Sequence, residues 1–365
     1  MNFTNINNNS TTQYVNSPTY EQIRTILIIF ATCITSITAI LGNVIVLFSF
    51  FIESTLRQPS NYFIASLAVS DILIGSISIP IFGIYIINQN VWKLGNVFCD
   101  LWLSVDYTVC LASIYTVLCI TIDRYCSIFY PTLYHVRQTK TIAFKFIATI
   151  WLFPSLLFFI TIFGWQYFVG ERTVPDEKCY IQYMDNYIYT IILQIVYFWI
   201  TIIMIFILYI RIYQTVVKIY KKQKKTQNDI NKMLNDSIPL TGNIPLKINQ
   251  QSELHKNKNI HLCSTIQKIL KYPKSNKKTN IPAQKAFNTI SIIVGVFIFC
   301  WMPWHIMSMI VSICGSYKCV NAMLYDISYW MCYLNSPINP FCYALANKTF
   351  QKTFIRILKF KWNRQ

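Results

Sequence analysis

Charge is what this 365-residue chain has least of. Only 13% of its residues are Asp, Glu, Lys or Arg, against about 25% in soluble domains. That excludes an ordinary soluble protein. Acids and histidines are scarcer still, at 14 and 4. His305 is the one His within an apolar run, so the clustered His and acid ligands of a membrane metalloenzyme are missing. No Lys lies between Asn321 and Asn347, so the last apolar run cannot hold retinal as a Schiff base. No internal repeat is visible, which leaves an inverted-repeat transporter without support, although a transporter stays the alternative of another class. Met1 to Asn16 has no apolar signal-peptide core, so the first apolar run is expected to serve as an uncleaved signal.

Apolar residues make up 54% of the chain and gather into runs long enough to cross a bilayer. Seven are read: Thr25–Ile52, Asn61–Ile87, Val97–Phe129, Ile142–Phe163, Tyr187–Tyr213, Phe287–Ser312 and Met323–Leu345. The fold expected is an all-α integral membrane protein, a seven-helix bundle with a short amphipathic C-terminal helix. The net charge of +18 is unevenly placed: 16 of the 32 Lys and Arg lie between Arg211 and Lys285. Basic residues concentrate on cytoplasmic loops, which puts the N-terminus outside and the C-terminus inside. Basic runs so placed point to solvent and anionic membrane lipid rather than nucleic acid.

Five segments follow along the chain. Residues 1–24 form an outer tail with acceptor sequons at Asn2, Asn8 and Asn9. Residues 25–213 carry helices 1–5, and 214–282 a basic, largely disordered third inner loop. Residues 283–346 carry helices 6 and 7, and 347–365 an amphipathic helix and tail. Of twelve cysteines, Cys99, Cys179, Cys314 and Cys319 fall on outer loops or their edges. Pairing as Cys99–Cys179 and Cys314–Cys319 fits that oxidising side.

The third run carries the sharpest signal. Asp106 stands two turns below Cys99, and Asp123-Arg124-Tyr125 lies near its inner end. The eighteen residues from Asp106 to Arg124 span roughly 27 Å of helix, close to a hydrocarbon core. A carboxylate within such a span costs at least ~2.5–3.5 kcal/mol and by default marks a site. No basic residue lies in the outer halves of the runs, so Asp106 is read as the anchor for a ligand cation. Tyr107, Trp301, Trp304, Tyr329 and Tyr333 are the aromatic candidates to surround it.

Motifs in every run resemble the rhodopsin-like class of G-protein-coupled receptors. They are Gly42-Asn43, Leu67-Ala68-Val69-Ser70-Asp71, Asp123-Arg124-Tyr125, Trp151, Tyr209, Cys300-Trp301-Met302-Pro303 and Asn339-Pro340-Phe341-Cys342-Tyr343. Asp106 below Cys99 resembles the amine subgroup. Trp165 to Gly170, Arg172 to Pro175 with Cys179 and Ile181-Gln182, Leu101-Trp102-Leu103, and Tyr329 to Ser336 are similar to muscarinic acetylcholine receptors. Departures stand at Cys110-Leu111, at Trp304-His305 where that group has Tyr-Asn, and at Thr201 where it has Pro. Cys110 is closer to one branch of histamine receptors.

The resemblance implies a receptor, not an enzyme, at the plasma membrane. It implies a small cationic ligand, acetylcholine first and another biogenic amine such as histamine as the alternative. Tyr107, Tyr329 and the position of Trp304 would form a lid. His305 would bond a ligand ester or pack as a neutral core residue. Asp71, Ser113, Asn335, Ser336 and Asn339 would form either a pocket for an allosteric sodium ion or a hydrogen-bonded polar core. No other cofactor is implied. Inner partners would be a heterotrimeric G protein, arrestin and a receptor kinase. Asp123, Arg124, Tyr125, Tyr209 and Tyr343 would form the switch that meets them. The family's acid at the inner end of helix 6 is Ala283 here, so Arg124 would lack a second partner and basal activity would be raised.

Overall fold

In hydrocarbon, each backbone N–H and C=O must be satisfied within its own segment, and the apolar runs accordingly become helices. The computed structural model describes residues 18–236, 282–315 and 317–361, and the side chains of all but 233–236, 282–290 and 317. Helix α1 spans Pro18–Ile52, α2 Pro59–Ile87, α3 Asn96–Phe129 and α4 Lys140–Val169. Helix α5 starts at Tyr187 and runs through to Asp236, α6 is Pro282–Cys314, α7 Ala322–Ala346 and α8 Lys348–Leu358. Six of the described helices are long and apolar enough to cross a membrane. The seventh is α7, whose apolarity is diluted by Asp326, Asn335 and Asn339.

Local chemistry sets the ends. The Thr139 hydroxyl accepts from the Ile142 amide at the start of α4, and Gly170 (φ 94°) closes that helix in the left-handed region. Asn186, Asn321 and Asn347 cap α5, α7 and α8 in the same way. Helix α5 runs 23 residues beyond Tyr213, deep into the segment read as a largely disordered loop. The reason is compositional: 214–236 holds six Lys and three Gln and meets no Gly or Pro before Pro239. The chain divides into two compact units, one of residues 1–212 and 286–365 and the other of Tyr213–Lys285. All that follows concerns the first.

Helix α3 is its axis, with 61% of its apolar window buried against 11% for α1. Polar stitches join its neighbours. Asn43 Nδ2 donates to the Ser336 carbonyl at 3.1 Å, tying α1 to α7, and Trp151 Nε1 donates to Ser66 Oγ at 3.0 Å, tying α4 to α2. Close approach of α1 needs glycine. A Cβ on Gly42 would lie 2.9 Å from Pro340, and one on Gly83 2.5 Å from the Thr32 hydroxyl. Both α2 and α5 contain a π turn, at Ile74–Ser78 and Ile195–Trp199. In the second, Thr201 Oγ1 donates to the Tyr197 carbonyl at 2.9 Å. At the inner end, α8 buries Phe350 against Phe50 and Tyr343, and Arg356 lies 3.5 Å from Glu53.

The outer loop between α4 and α5 is folded onto the top of α3. Disulfide Cys99–Cys179 joins them with Cα atoms 5.6 Å apart, and Cys314–Cys319 closes a short loop after α6 with Cα atoms 6.5 Å apart. Arg172 holds Asp100 through two hydrogen bonds, of 2.7 and 3.1 Å. Gln182 donates to the Glu171 carbonyl at 2.7 Å, and Trp92 N–H to the Glu177 carbonyl at 2.8 Å. The sequence reading missed the Arg172–Asp100 pair, because nothing local links residues 72 apart.

Two measurements check these contacts. Gly83→Ala should lower the melting temperature in detergent by several degrees, since overpacking costs about 1–3 kcal/mol. Thr32→Ala in the same chain should restore it, and an unchanged melting temperature in the single variant would show slack between α1 and α2. Arg172→Gln leaves the Asp100 carboxylate buried without its partner, at a cost of up to about 3–5 kcal/mol. Surface expression should fall severalfold and recover in the Asp100→Asn, Arg172→Gln double variant. A double variant no better than the single one would reject the unpaired charge as the cause.

Candidate functional site

Two turns below the Cys99 disulfide, α3 turns Asp106 inward, and its carboxylate is 2% exposed. Neutral groups hold it, the Ser78 hydroxyl beside it among them. Tyr329 OH donates at 3.0 Å, Tyr333 OH lies 3.3 Å from both oxygens, and the Cys110 thiol lies 3.9 Å away. Among the described residues no Lys or Arg pairs with it. A buried carboxylate of this kind has its charge solvated by hydroxyl dipoles and balanced by nothing.

The seven residues read as a ligand site, Asp106, Tyr107, Trp301, Trp304, His305, Tyr329 and Tyr333, line one cavity. Their rings run edge to face from Tyr107 to Trp304 at 6.3 Å, on to Tyr329 at 5.8 Å and to Tyr333 at 5.3 Å. Indole N–H groups of Trp301 and Trp304 are buried without partners among the described residues. His305 is buried too, flat on Phe198 at 3.3 Å between ring centres, and neither of its nitrogens has a partner. The cavity is narrow: the centre of a water-sized sphere has about 30 Å³ in it. That is room for roughly two or three waters.

Cys110, Leu111 and Cys332, met above within sequence motifs, also line the cavity, and three further lining residues were not singled out from sequence: Phe158 on α4, Tyr197 on α5 and Ile114. Tyr197 sits inside the π turn Ile195–Trp199, whose extra residue shifts the inward face away from a 3.6-residue period. A periodicity reading could not find it. The outer half of α5 offers little else. Gln194 donates to Ser308 at 2.7 Å, and Thr190 to the Tyr183 carbonyl at 3.2 Å.

Deeper in the bundle, Asp71 is fully buried and accepts from Asn339 Nδ2 at 2.8 Å. Ser113 turns instead to Ser70, with 2.9 Å between hydroxyls. Among the described residues Asn335 Oδ1 is buried without a hydrogen-bond partner, and the Ser336 hydroxyl lies beside the buried Asp71 carboxylate. Oxygen donors of this sort suit a hard cation, so these residues fit sodium. Among the described residues no group of three or more His, Cys, Asp or Glu is placed to hold a metal ion.

At the inner end of α3, Arg124 Nε lies 3.7 Å from Asp123. The other Asp123 oxygen accepts from Tyr134 OH at 2.9 Å and Gln138 Nε2 at 2.8 Å. Both belong to the second inner loop, whose helix is Pro131–Arg137, and neither was read from sequence. Burial first, and then the neighbouring Asp123 charge, push the Tyr134 phenol up and keep it a donor. Tyr125 stacks on Phe129 at 4.2 Å. Tyr209 OH lies 3.1 Å from Ser291 Oγ, linking α5 and α6, while the Tyr343 hydroxyl is buried without a partner. The side chain of Ala283, the residues Asn2, Asn8 and Asn9, and Trp362 beyond α8 lie outside what the structure describes.

Comparison with known proteins agrees with this architecture. Residues 42–343 match the family model of the 7 transmembrane receptor (rhodopsin family). The chain is 30% identical to muscarinic acetylcholine receptor M2 of Gallus gallus, over 96% of this chain and 97% of that protein. It is 27% identical to the Gallus gallus receptor M4, over 93% and 90%. A 43% match to muscarinic acetylcholine receptor gar-2 of Caenorhabditis elegans covers 53% of this chain and 31% of that protein. With a match that runs from the Gly42 motif of α1 to Tyr343 of α7, the chain belongs to the rhodopsin family of seven-transmembrane receptors.

Proposed function

We propose that this receptor binds acetylcholine, or a closely similar choline ester, between α3, α5, α6 and α7 and activates a heterotrimeric G protein. One observation carries the reading: Asp106 is buried, held by neutral hydroxyls and a thiol, and ringed by aromatic side chains. A quaternary ammonium supplies the missing positive charge and needs no hydrogen-bond donor of its own. Each desolvated aromatic face adds up to ~2 kcal/mol. Names of the relatives point the same way, since those compared above are muscarinic acetylcholine receptors. Histamine is the second reading, favoured by Cys110 beside the carboxylate.

At the other end of the ligand, His305 can offer one N–H and one lone pair while neutral. Both of its nitrogens are unpartnered, so an ester oxygen can take the N–H. The cavity is too narrow for such a ligand as it stands, so binding must displace rings. Trp301, Trp304 and His305 all belong to α6, whose Pro303 removes one backbone bond and eases bending. A ligand that prefers the displaced rings shifts the bundle toward a form with α6 moved outward. Arg124, Tyr209 and Tyr343 are then the surface a G protein meets, with arrestin and a receptor kinase as later partners. The receptor is taken to lie in the plasma membrane with its N-terminus outside, and α8 against the lipid of the inner leaflet. Sodium in the Asp71 pocket would hold the resting form.

Expressed in cells and read by intracellular calcium and cyclic AMP, the receptor should respond to acetylcholine at lower concentration than to histamine, serotonin or dopamine. A clear preference for histamine would replace the first reading by the second. Asp106→Asn should lower agonist potency by roughly 30-fold or more at equal surface level, the effect of stranding a ligand charge. A change within about threefold would reject the anchor. His305→Ala should weaken acetylcholine roughly 3- to 10-fold more than tetramethylammonium, one hydrogen bond's worth. Equal losses for both ligands would make His305 a packing residue.

A further inference from the structure

One side of the ligand cavity is closed by a circuit of five of its lining rings. Tyr107 of α3 meets Phe158 of α4 at 5.4 Å between ring centres, and Phe158 meets Tyr197 of α5 at 6.2 Å. Tyr197 meets His305 of α6 at 5.9 Å, His305 meets Trp304 at 4.7 Å, and Trp304 returns to Tyr107 at 6.3 Å. Every contact is edge to face, with ring planes 64° to 78° apart. Asp106 is turned toward Tyr329 and Tyr333 of α7 instead. The geometry points to Tyr197 as a length filter, the residue that limits how long a tail an ammonium ligand can carry. This rests on Asp106 as the anchor of the ligand's charge.

With the charged head fixed at Asp106, ligand length is decided by the ring that the tail meets. Tyr107 is next to Asp106 in the chain and borders the head. Trp304 and His305 ride on α6, whose backbone ladder Pro303 interrupts, so both can give way. Helix α5 has no proline between Tyr187 and Asp236, so its part of the wall yields least. Tyr197 belongs to the π turn Ile195–Trp199, whose extra residue rotates the inward face of α5. Its carbonyl takes the Thr201 hydroxyl at 2.9 Å, and its side chain is buried edge-on against Phe158.

The phenol stands on apolar ground. Leu111, Ile114 and Phe158 line the cavity with it. A tail that finds apolar space gains roughly fourfold in affinity for each methylene it buries. One driven against a fixed ring overpacks the wall and loses affinity. A tail of acetylcholine's length is then the upper limit, and longer alkyl or aromatic tails are refused.

Thermal stabilisation of the purified full-length receptor in detergent tests the filter without a signalling readout. The probes are pentyltrimethylammonium, whose chain is as long as acetylcholine's, and octyltrimethylammonium, a longer chain on the same head. In the parent, octyl should need a higher concentration than pentyl for half-maximal stabilisation. In Tyr197→Ala the octyl-to-pentyl ratio of these concentrations should fall at least tenfold, roughly what two buried methylenes are worth. Tyr197→Leu, a smaller loss of packing, should move the ratio the same way by less. Tyr197→Phe, which keeps the ring, should hold it within about threefold. Each variant is its own baseline, so a lowered melting temperature does not enter the ratio. Asp106→Asn should abolish stabilisation by both probes. Octyl binding the parent more tightly than pentyl, or a ratio unchanged in Tyr197→Ala and Tyr197→Leu, would overturn the filter and leave the anchor standing. So would a ratio moved as far by Tyr197→Phe as by Tyr197→Ala. Stabilisation that survives Asp106→Asn, or none in the parent, would overturn the anchor itself and the filter with it.

Discussion

A carboxylate with no cation organises this molecule. Among the described residues Asp106 meets hydroxyls, a thiol and rings and pairs with no Lys or Arg, so an ionised Asp106 is an unbalanced charge within an apolar bundle. A structural ion pair in that place would have closed the site, because any ligand would then have to compete with a permanent partner. Hydroxyl donors solve the problem differently. They lower the cost of burial enough for the protein to fold, yet can stay in place when a cation arrives. The same phenols that hold the carboxylate also present ring faces to the ligand. Under the proposed function, Tyr329 and Tyr333 would serve anchor and cage together.

A charge so placed is useful only if the helix bearing it is held at both ends. At the outer end α3 is fixed by the Cys179 disulfide and by the paired hydrogen bonds from Arg172 to Asp100. Asp123 does the same work at the inner end, taking Tyr134 and Gln138 from the second inner loop as well as its neighbour Arg124. Helix α3 is thus tied at both ends. Helices α6 and α7 touch the ligand cavity through rings and carry Pro303, Pro337 and Pro340 inside them. Ligand energy applied at rings is thereby directed to the helices whose backbone ladders are already interrupted.

Hydropathy made the spans legible because the bilayer enforces length and apolarity, and the motifs gave their order. Asp106 stood out as a candidate anchor for the same reason, since an acid in an apolar run is conspicuous, and the structure buries it beside Tyr329 and Tyr333. What stayed hidden depended on pairing across distance or on irregular helix. Asp100 and Arg172 are each unremarkable in sequence, and their pairing needs the loop folded back over α3. Tyr134 and Gln138 read as ordinary loop residues until Asp123 is seen between them. Ser113 was expected beside Asp71 but bonds Ser70, a choice among nearby hydroxyls that spacing cannot settle. Helix α5 was expected to run on past Tyr213 for a turn or more, and with no Gly or Pro before Pro239 it continues to Asp236.

The least legible feature bears most on what the receptor admits. The π turn at Ile195–Trp199 needs no proline here, and Thr201 instead returns its hydroxyl to the Tyr197 carbonyl. That register puts the bulky Tyr197 into the cavity wall, 5.9 Å from His305, while Phe198 stacks under the same imidazole. Helix α5 thus presents large rings to α6, and no hydroxyl of Ser or carboxylate for a ligand's far end. A closed, aromatic far wall favours a short ligand with its charge at Asp106 and little beyond it. It also makes α6 the moving part. With α3 fixed and α5 packed ring on ring against His305, space for the ligand's second end has to come from the helix that carries His305 and Trp304.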